Sequence, residues 1–283
     1  MVVVILSSFL FFNYFCTMTD FRPGGFQQLP TVVKNIIIIN VLVFLLRYAL
    51  ETRGIDLDVY LGLHYWQSSL FRWWQPLTHL FMHGSIAHIF FNMFALWMFG
   101  RILENIWGPQ RFLLFYLVCG FGAAICHMGV LTFEYMPMHH GFIAYQQHPG
   151  ILAFIDFANK FHISPNPEFI SAWGSDPTSN YYISGSIKLL DSLFNEATIG
   201  ASGAVMGLLF AFGYLFPNTL LYLYFAIPVK AKWFVAGYAL LELYSGIRNS
   251  AGDNIAHFAH LGGMLFAFIL LRIWNDKVRN RFY

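Results

Sequence analysis

The sequence predicts an all-α membrane protein, built as a bundle of six transmembrane helices. Two observations support this fold class. Hydrophobic residues make up 58% of the 283 positions and charged residues only 11%, whereas soluble domains carry about 25% charged residues. The apolar residues also fall in long runs, and a helix needs roughly 20 of them to cross a bilayer. The net charge of +2 gives no indication of nucleic-acid binding.

Three apolar runs in the first half of the chain predict the first three helices. They extend over Val32 to Leu50, about Ser85 to Glu104, and about Pro109 to Val130. Each run has the length of a membrane span.

Three further runs follow, over Ser202 to Phe216, about Ala231 to Tyr244 and about Ile255 to Trp274. The first of these reaches only about 22 Å at a rise of about 1.5 Å per residue, against a hydrocarbon layer about 30 Å thick. Either the bilayer thins there, or the helix begins below one surface in a hollow lined by protein. The second arrangement would place Ser202 inside that hollow.

Two segments fall outside this pattern. Residues 1–31 form an N-terminal segment ahead of a transmembrane domain over 32–283; Val2 to Cys16 is short for a span and lacks the features of a signal peptide. Residues 132–198 are rich in Pro, Ser, Asn, His and aromatic residues. They predict a long extracytoplasmic insertion loop between the third and fourth helices. The spacing of its histidines matches no trusted metal-ligand pattern.

The distribution of Lys and Arg predicts the orientation. If the first helix begins inside, that side receives more basic residues on shorter loops, so both termini are expected in the cytoplasm. We expect a multi-pass protein of a bacterial inner or plasma membrane. Ser202 then lies in the outer half of the membrane.

Ser202, in IGASGAVMG, is the first candidate functional residue, because unpartnered polar groups in hydrocarbon cost roughly 2–7 kcal/mol. For a lone serine, a helix N-cap is the plainest interpretation. The neighbouring glycines favour another one: Gly200 permits a strained turn, and Gly203 allows close approach of a second backbone. Gly203, Gly207 and Ala211 form a stripe of small residues that favours helix association.

His260, in NIAHFAHLGGMLFAF, is the second candidate. It shares a small helical face with Gly263 and Ala267, and packing of this face against the Ser202 helix would bring serine and imidazole together. A neutral imidazole is a suitable base for a serine nucleophile. The alternatives are a packing histidine and a two-histidine metal face with His257.

The third candidate cluster is HGSIAHIFFN. His88 and Asn92 share a helical face, and donors aimed at one point can stabilise an oxyanion. The backbone N–H of Ser202 could add another donor. The alternative is ordinary hydrogen bonding between helices. His79 and His83 lack the glutamate of a zinc-protease HExxH motif, so that function is only weakly indicated.

Three motifs in order, HGSIAHIFFN with FGRILE downstream, IGASG and AHFAHLGG, make the chain resemble the rhomboid intramembrane serine proteases. The resemblance extends from about Phe21 to the C-terminus, apart from 132–198. It implies a six-helix bundle and a Ser–His dyad without a catalytic aspartate. No metal or organic cofactor is then required.

The resemblance also implies individual roles. Ser202 corresponds to the nucleophile and His260 to the base, whereas His88 and Asn92 join the Ser202 amide in the oxyanion hole. Gly200 is the glycine before the nucleophile. His83 takes the position of a supporting histidine in the first motif, and Glu104 that of a structural acid. One departure is Ala267, where the family often has glycine.

The resulting expectation is an intramembrane serine endopeptidase that cleaves membrane proteins in or next to their transmembrane segments. Its partners would be transmembrane protein substrates and the lipid bilayer. The alternative is a non-proteolytic rhomboid-like protein that binds membrane helices. A transporter or channel would spread ionisable residues through the inner half as well, whereas here the clusters gather on the outer side.

Overall fold

A computed structural model describes residues 29–223, 227–248 and 256–279, and most of them are helical. The expectations for the segment Val2 to Cys16 therefore lie outside the described residues. Helices occur at all six predicted positions. They are α1 (Thr31–Glu51), α4 (Ile86–Trp107), α5 (Pro109–Gln147), α9 (Ser202–Leu215), α10 (Ala231–Arg248) and α11 (His257–Arg279).

Shorter elements connect these helices. Before α4 lie α2 (Leu57–Leu61) and α3 (Gln75–Thr78), the latter continued by a 3₁₀ turn over His79–Phe81. Between α9 and α10, strand β1 (Leu220–Leu223) pairs antiparallel with β2 (Ile227–Lys230), with Leu220 opposite Lys230. The all-α prediction did not anticipate this hairpin, whose paired strands satisfy backbone groups that no helix uses.

Four of the described helices, α1, α4, α5 and α11, are long and apolar enough to cross a membrane. The protein is therefore an integral membrane protein with a mostly helical fold. Helix α9 is apolar but has only 14 residues, and α10 carries three charged residues among its 18. The count of six spans thus remains a prediction.

Apolar side chains on the outside of α1 and α10 are consistent with a lipid environment. Leu42 and Leu45 on α1 are 59% and 58% exposed, and Leu240 on α10 is 66% exposed. Soluble proteins seldom expose apolar residues in continuous patches of this kind. Lipid tails would cover these faces in the membrane.

Glu104, near the end of α4, caps the start of α1. Its two carboxylate oxygens accept hydrogen bonds from the backbone N–H groups of Val32 and Val33, at 2.9 and 2.8 Å. Pro30, at the N-cap of α1, provides no side-chain acceptor. A negative charge at a helix N-terminus is stabilising, so this buried acid ties two helices together.

The chain divides into two compact units, which we describe separately. The first holds 29–63, Trp74–His127 and the described residues from Thr198 onward. Its core contains large side chains such as Phe99 and Phe212, which contact each other at a ring-centroid distance of 5.1 Å.

The second unit holds His64–Trp73 and Met128–Ala197. Much of the segment 132–198, expected as a loop, is helical: α5 continues to Gln147, and α6 (Ile151–Lys160), α7 (Pro167–Ser175) and α8 (Asn180–Ser192) follow. Its aromatic residues build a separate core around Phe154, Trp173 and Phe194. The Pro, Ser and Asn residues suggested a loop, but the aromatic residues of the same segment pack together and stabilise short helices between the turns.

Helices α9 and α11 contact each other through glycine. A Cβ atom on Gly263 would collide with the carbonyl oxygen of Gly203. Gly207 is equally confined, since a Cβ there would lie 2.7 Å from Cys119 and 3.1 Å from the Gly263 carbonyl oxygen. The predicted association of the two small-residue faces is confirmed, and it brings the backbones to a separation that larger residues would prevent.

Candidate active site

The segment before Ser202 is held by backbone hydrogen bonds on both sides. Thr198 and Leu63 exchange N–H···O bonds of 2.8 and 2.9 Å, and the Gly200 N–H donates to the His79 carbonyl at 2.9 Å. Gly200 has φ = +136°, a conformation that favours glycine. A Cβ at this position would also lie 2.8 Å from Nε2 of His88. This position therefore requires glycine on both counts.

Ser202 is the first residue of α9, and Ala201 occupies the N-cap position. The N-cap interpretation of Ser202 is therefore wrong. Its Oγ instead lies 2.8 Å from Nε2 of His260, a hydrogen-bonding distance. His260 is buried, whereas Ser202 is half-buried and so more accessible. The close packing of α9 on α11 creates this contact between residues 58 positions apart.

Glu242 on α10 adds an acid that the sequence analysis did not identify. Its Oε2 is 2.6 Å from Nδ1 of His257 and 3.1 Å from Nδ1 of His260. A signal was present, because an ionisable residue inside an apolar helix is a functional candidate by default.

His88 lies on the other side of Gly200, in the first turn of α4. The hydroxyl of Ser85 caps this helix by accepting the His88 backbone N–H at 3.1 Å. Nδ1 of His88 accepts a long contact of 3.5 Å from the Gly84 N–H. With Nδ1 as acceptor, a neutral ring carries its hydrogen on Nε2, the nitrogen that faces Gly200. His88 can therefore donate toward the segment that precedes Ser202.

Asn92 is buried one turn further along α4, 6% exposed. Its Nδ2 donates to the His88 carbonyl at 2.9 Å. Within the described residues it makes no hydrogen bond to Ser202. An amide nitrogen carries two hydrogens, so one donor is left after the bond to its own helix.

His83 is fully buried, and neither of its ring nitrogens has a hydrogen-bond partner among the described residues. Its ring packs edge-on against His88 with centroids 4.9 Å apart. Burial lowers the pKa of His83 to about 3, and His88 contributes in the same direction. A neutral His83 therefore supports the His88 ring through packing.

In the described part of the chain, one group of three side chains lies close enough together that it could hold a metal ion. Glu242, His257 and His260 present ligand atoms within 4.8 Å of one another. His79 and His83 do not belong to this group. The two-histidine metal face considered from the sequence thus has a third member.

Taken together, these groups include the kinds that acyl transfer requires: a hydroxyl, a neighbouring base and hydrogen-bond donors. The imidazole of His260 can accept a proton from the Ser202 hydroxyl, which needs a neighbouring base to become a nucleophile. His88 Nε2 and Ser202 Oγ both lie beside Gly200, at 2.8 and 3.5 Å from the position that a Cβ on this glycine would take. A donor on His88 is therefore near the serine, where an oxyanion could be stabilised.

Comparison with known proteins agrees with this description. The family model described as "Rhomboid domain" matches residues 70–142 and 178–275, which is more than half of the chain and includes every candidate site residue. Between the two matched segments, residues 143–177 are unmatched, and this stretch is shorter than the predicted insertion over 132–198.

Three relatives illustrate the similarity. "RHOMBOID-like protein 12, mitochondrial" from Arabidopsis thaliana is 27% identical over 209 residues, covering 73% of this chain and 47% of its own length. An uncharacterized mitochondrial rhomboid protein of Schizosaccharomyces pombe is 28% identical over 222 residues, covering 75% and 55%. "Rhomboid protease GluP" of Bacillus subtilis is 45% identical over 53 residues, covering 19% and 10%.

The chain therefore spans about half the length of the first two relatives. Both are named mitochondrial, so among these three only the short Bacillus match accords with the bacterial membrane expected from the sequence.

Proposed function

Because the chain belongs to the rhomboid family, we propose that it is an intramembrane serine endopeptidase that hydrolyses peptide bonds in or next to transmembrane segments of membrane proteins. The 2.8 Å contact between Ser202 Oγ and His260 Nε2 carries this proposal. It is the arrangement that converts an unreactive hydroxyl into a nucleophile.

In the acylation step, His260 Nε2 takes the proton from Ser202 Oγ while Oγ bonds to the carbonyl carbon of the substrate. The carbonyl π electrons move to oxygen, which becomes an oxyanion. His260 then gives the proton to the leaving amine nitrogen as the C–N bond breaks. An acyl-enzyme remains on Ser202.

The oxyanion is the charge that the site must stabilise. We assign that task to Nε2–H of His88, the remaining amide hydrogen of Asn92 and the backbone N–H of Ser202 at the start of α9. Preorganised donors of this kind are worth about 10²–10³-fold in rate each. The bond from Asn92 to the His88 carbonyl fixes the direction of its amide.

Deacylation repeats the chemistry with water. His260 removes a proton from water, the hydroxide attacks the acyl carbon, and Ser202 leaves with the proton returned by His260. Water must therefore reach Ser202. The partial exposure of this residue and the shortness of α9, about 21 Å at about 1.5 Å per residue, support entry of water from one membrane surface.

The substrates proposed are transmembrane proteins, and the protease works within the bilayer with both termini in the cytoplasm. A peptide bond inside an intact helix is shielded by its own hydrogen bonds. The substrate helix must therefore unwind locally, and small or helix-destabilising residues are expected at the cleavage site.

The test compares purified wild-type protein in proteoliposomes with the Ser202→Ala and His260→Ala variants, using a transmembrane model substrate and a serine-reactive fluorophosphonate. We expect cleavage and labelling by the wild type alone. Equal labelling of wild type and Ser202→Ala would refute the nucleophile assignment. Substrate binding without cleavage by any of the three proteins would instead support a helix-binding function.

A further inference from the structure

Glu242 is a buried acid whose carboxylate lies beside two histidines of the next helix. It is 5% exposed, and its Oε2 is 2.6 Å from Nδ1 of His257 and 3.1 Å from Nδ1 of His260. The phenol of Tyr238, one turn earlier on α10, also interacts with it. A buried carboxylate is stable only where donors or positive charge replace its lost hydration. The donors of His257 and Tyr238 provide that replacement.

The carboxylate meets the ring nitrogen of His260 that Ser202 does not use. Nε2 is engaged with Ser202 Oγ at 2.8 Å, which leaves Nδ1 for Glu242. A neutral imidazole carries hydrogen on only one nitrogen. A carboxylate beside Nδ1 favours the hydrogen there, so that the lone pair of Nε2 is free to accept the serine proton.

The two histidines differ in their contact with the carboxylate. His257 makes the shorter contact with hydrogen-bond geometry, whereas Nδ1 of His260 is close to Oε2 but not aligned well enough for a hydrogen bond. Catalytic hydrogen bonds are often poorly aligned before substrate binds and tighten during the reaction. His257 thus anchors the carboxylate within reach of His260.

We propose that Glu242 is a positioning residue for His260, so that serine, histidine and glutamate act as three linked groups where the family resemblance implies two. The proposal rests on the proposed peptidase function. In the attack step the proton moves from Ser202 Oγ to His260 Nε2 and then to the leaving amine. Glu242 receives no proton; its negative charge stabilises the imidazolium that exists between the two transfers.

The same residues could instead hold a divalent cation. The 2.6 Å contact between His257 and Glu242 argues against this, because it is a direct hydrogen bond, whereas Zn²⁺ between two such ligands would hold them about 2.0–2.2 Å from the ion on either side. A metal at this place would also occupy Nδ1 of His260. The two interpretations differ in their response to a chelator.

The experiment measures kcat, KM and the pH–rate profile of wild type, Glu242→Gln and Glu242→Asp in proteoliposomes. For Glu242→Gln we expect kcat to fall by more than about 10-fold and by up to about 10⁴-fold, the loss known for replacing the acid behind a catalytic histidine by its amide. KM should change less than about twofold, because Glu242 does not touch substrate. The acid limb of the profile should move to lower pH, because the imidazolium loses its neighbouring charge. Among the described residues, the titratable groups that act on His260 are Glu242, His88 and His127, and those that contact the carboxylate are His257 and Tyr238.

Glu104→Gln is the matched control. It replaces another buried carboxylate, whose hydrogen bonds go to the backbone of Val32 and Val33 and not to His260. It should leave the pH–rate profile unchanged. Glu242→Asp keeps the charge on a shorter side chain, so it should retain the wild-type acid limb with a smaller loss of kcat. If Glu242→Gln does not fold, the kcat of Glu242→Asp decides: a value equal to wild type would overturn the proposal.

A second readout is independent of proteolysis. The ¹⁵N shifts of labelled histidine, assigned with His260→Ala, report which ring nitrogen carries hydrogen. We expect hydrogen on Nδ1 of His260 in wild type and a mixed or reversed population in Glu242→Gln. The same shifts in both proteins, or loss of wild-type activity in EDTA with recovery in Zn²⁺, would refute the positioning role. If the wild type showed the expected ¹⁵N shifts but did not cleave the substrate, only the peptidase function would be contradicted.

Discussion

Replacement of Gly263 by alanine tests whether close packing of α9 on α11 positions the two central groups. The added Cβ would collide with the Gly203 carbonyl oxygen, part of the rigid backbone of α9. Relief of the collision requires the helices to separate by roughly 1 Å, which would lengthen the 2.8 Å contact between Ser202 and His260 beyond hydrogen-bonding distance.

Two magnitudes follow from this displacement. Overpacking of a tight core costs about 1–3 kcal/mol, and misplacement of a reacting group by about 1 Å can cost about 10²-fold in rate. We therefore expect Gly263→Ala to lower the free energy of unfolding by about 1–3 kcal/mol and kcat/KM by about 10²-fold. Unfolding in mixed detergent micelles and cleavage in proteoliposomes measure the two effects.

Gly237→Ala is the matched control, because it makes the same change inside α10, where a Cβ would meet nothing within 4 Å. Alanine there should be neutral or stabilise the helix by up to about 1 kcal/mol. Wild-type stability and turnover in Gly263→Ala would refute the claim that backbone contact sets the geometry of the site.

Three further predictions concern individual residues. Gly200→Ala should abolish most activity, since φ = +136° disfavours alanine and the new Cβ would approach His88; kcat/KM of the folded protein checks this, and near-wild-type turnover would contradict it. Glu104→Gln should destabilise the protein by about 1–2 kcal/mol through the weakened cap on α1, with kcat of the folded fraction unchanged. His83 has a pKa of about 3 when folded and about 6.5 when unfolded, so its contribution to stability is complete above pH 6.5 and declines as pH falls, by up to about 1.4 kcal/mol per pH unit. Between pH 7.5 and pH 5, the free energy of unfolding should fall less for His83→Gln than for wild type. The control His148→Gln changes an exposed histidine, so its free energy of unfolding should fall as much as that of wild type.

Local features of the structure could be predicted from the sequence. The apolar runs predicted helices at all six positions, because each run satisfies its own backbone hydrogen bonds in a nonpolar environment. The small-residue faces of α9 and α11 could also be identified from the sequence, because residues three and four positions apart lie on the same side of a helix. The contact of Ser202 with His260 followed from those faces.

Other features depended on contacts between distant segments. In the sequence, Glu242 is a single acid within an apolar run. Only the crossing of α10 and α11 brings it beside two histidines. The short helices within 132–198 were hidden for a similar reason: composition does not determine which partner a side chain meets.

By itself, then, the sequence determined which segments form helices and which helical faces can approach closely, since both depend on residues only a few positions apart. The tertiary structure alone decided which polar groups share one pocket. That outcome depends on where helices cross, and the crossings are set by packing between residues far apart in the chain.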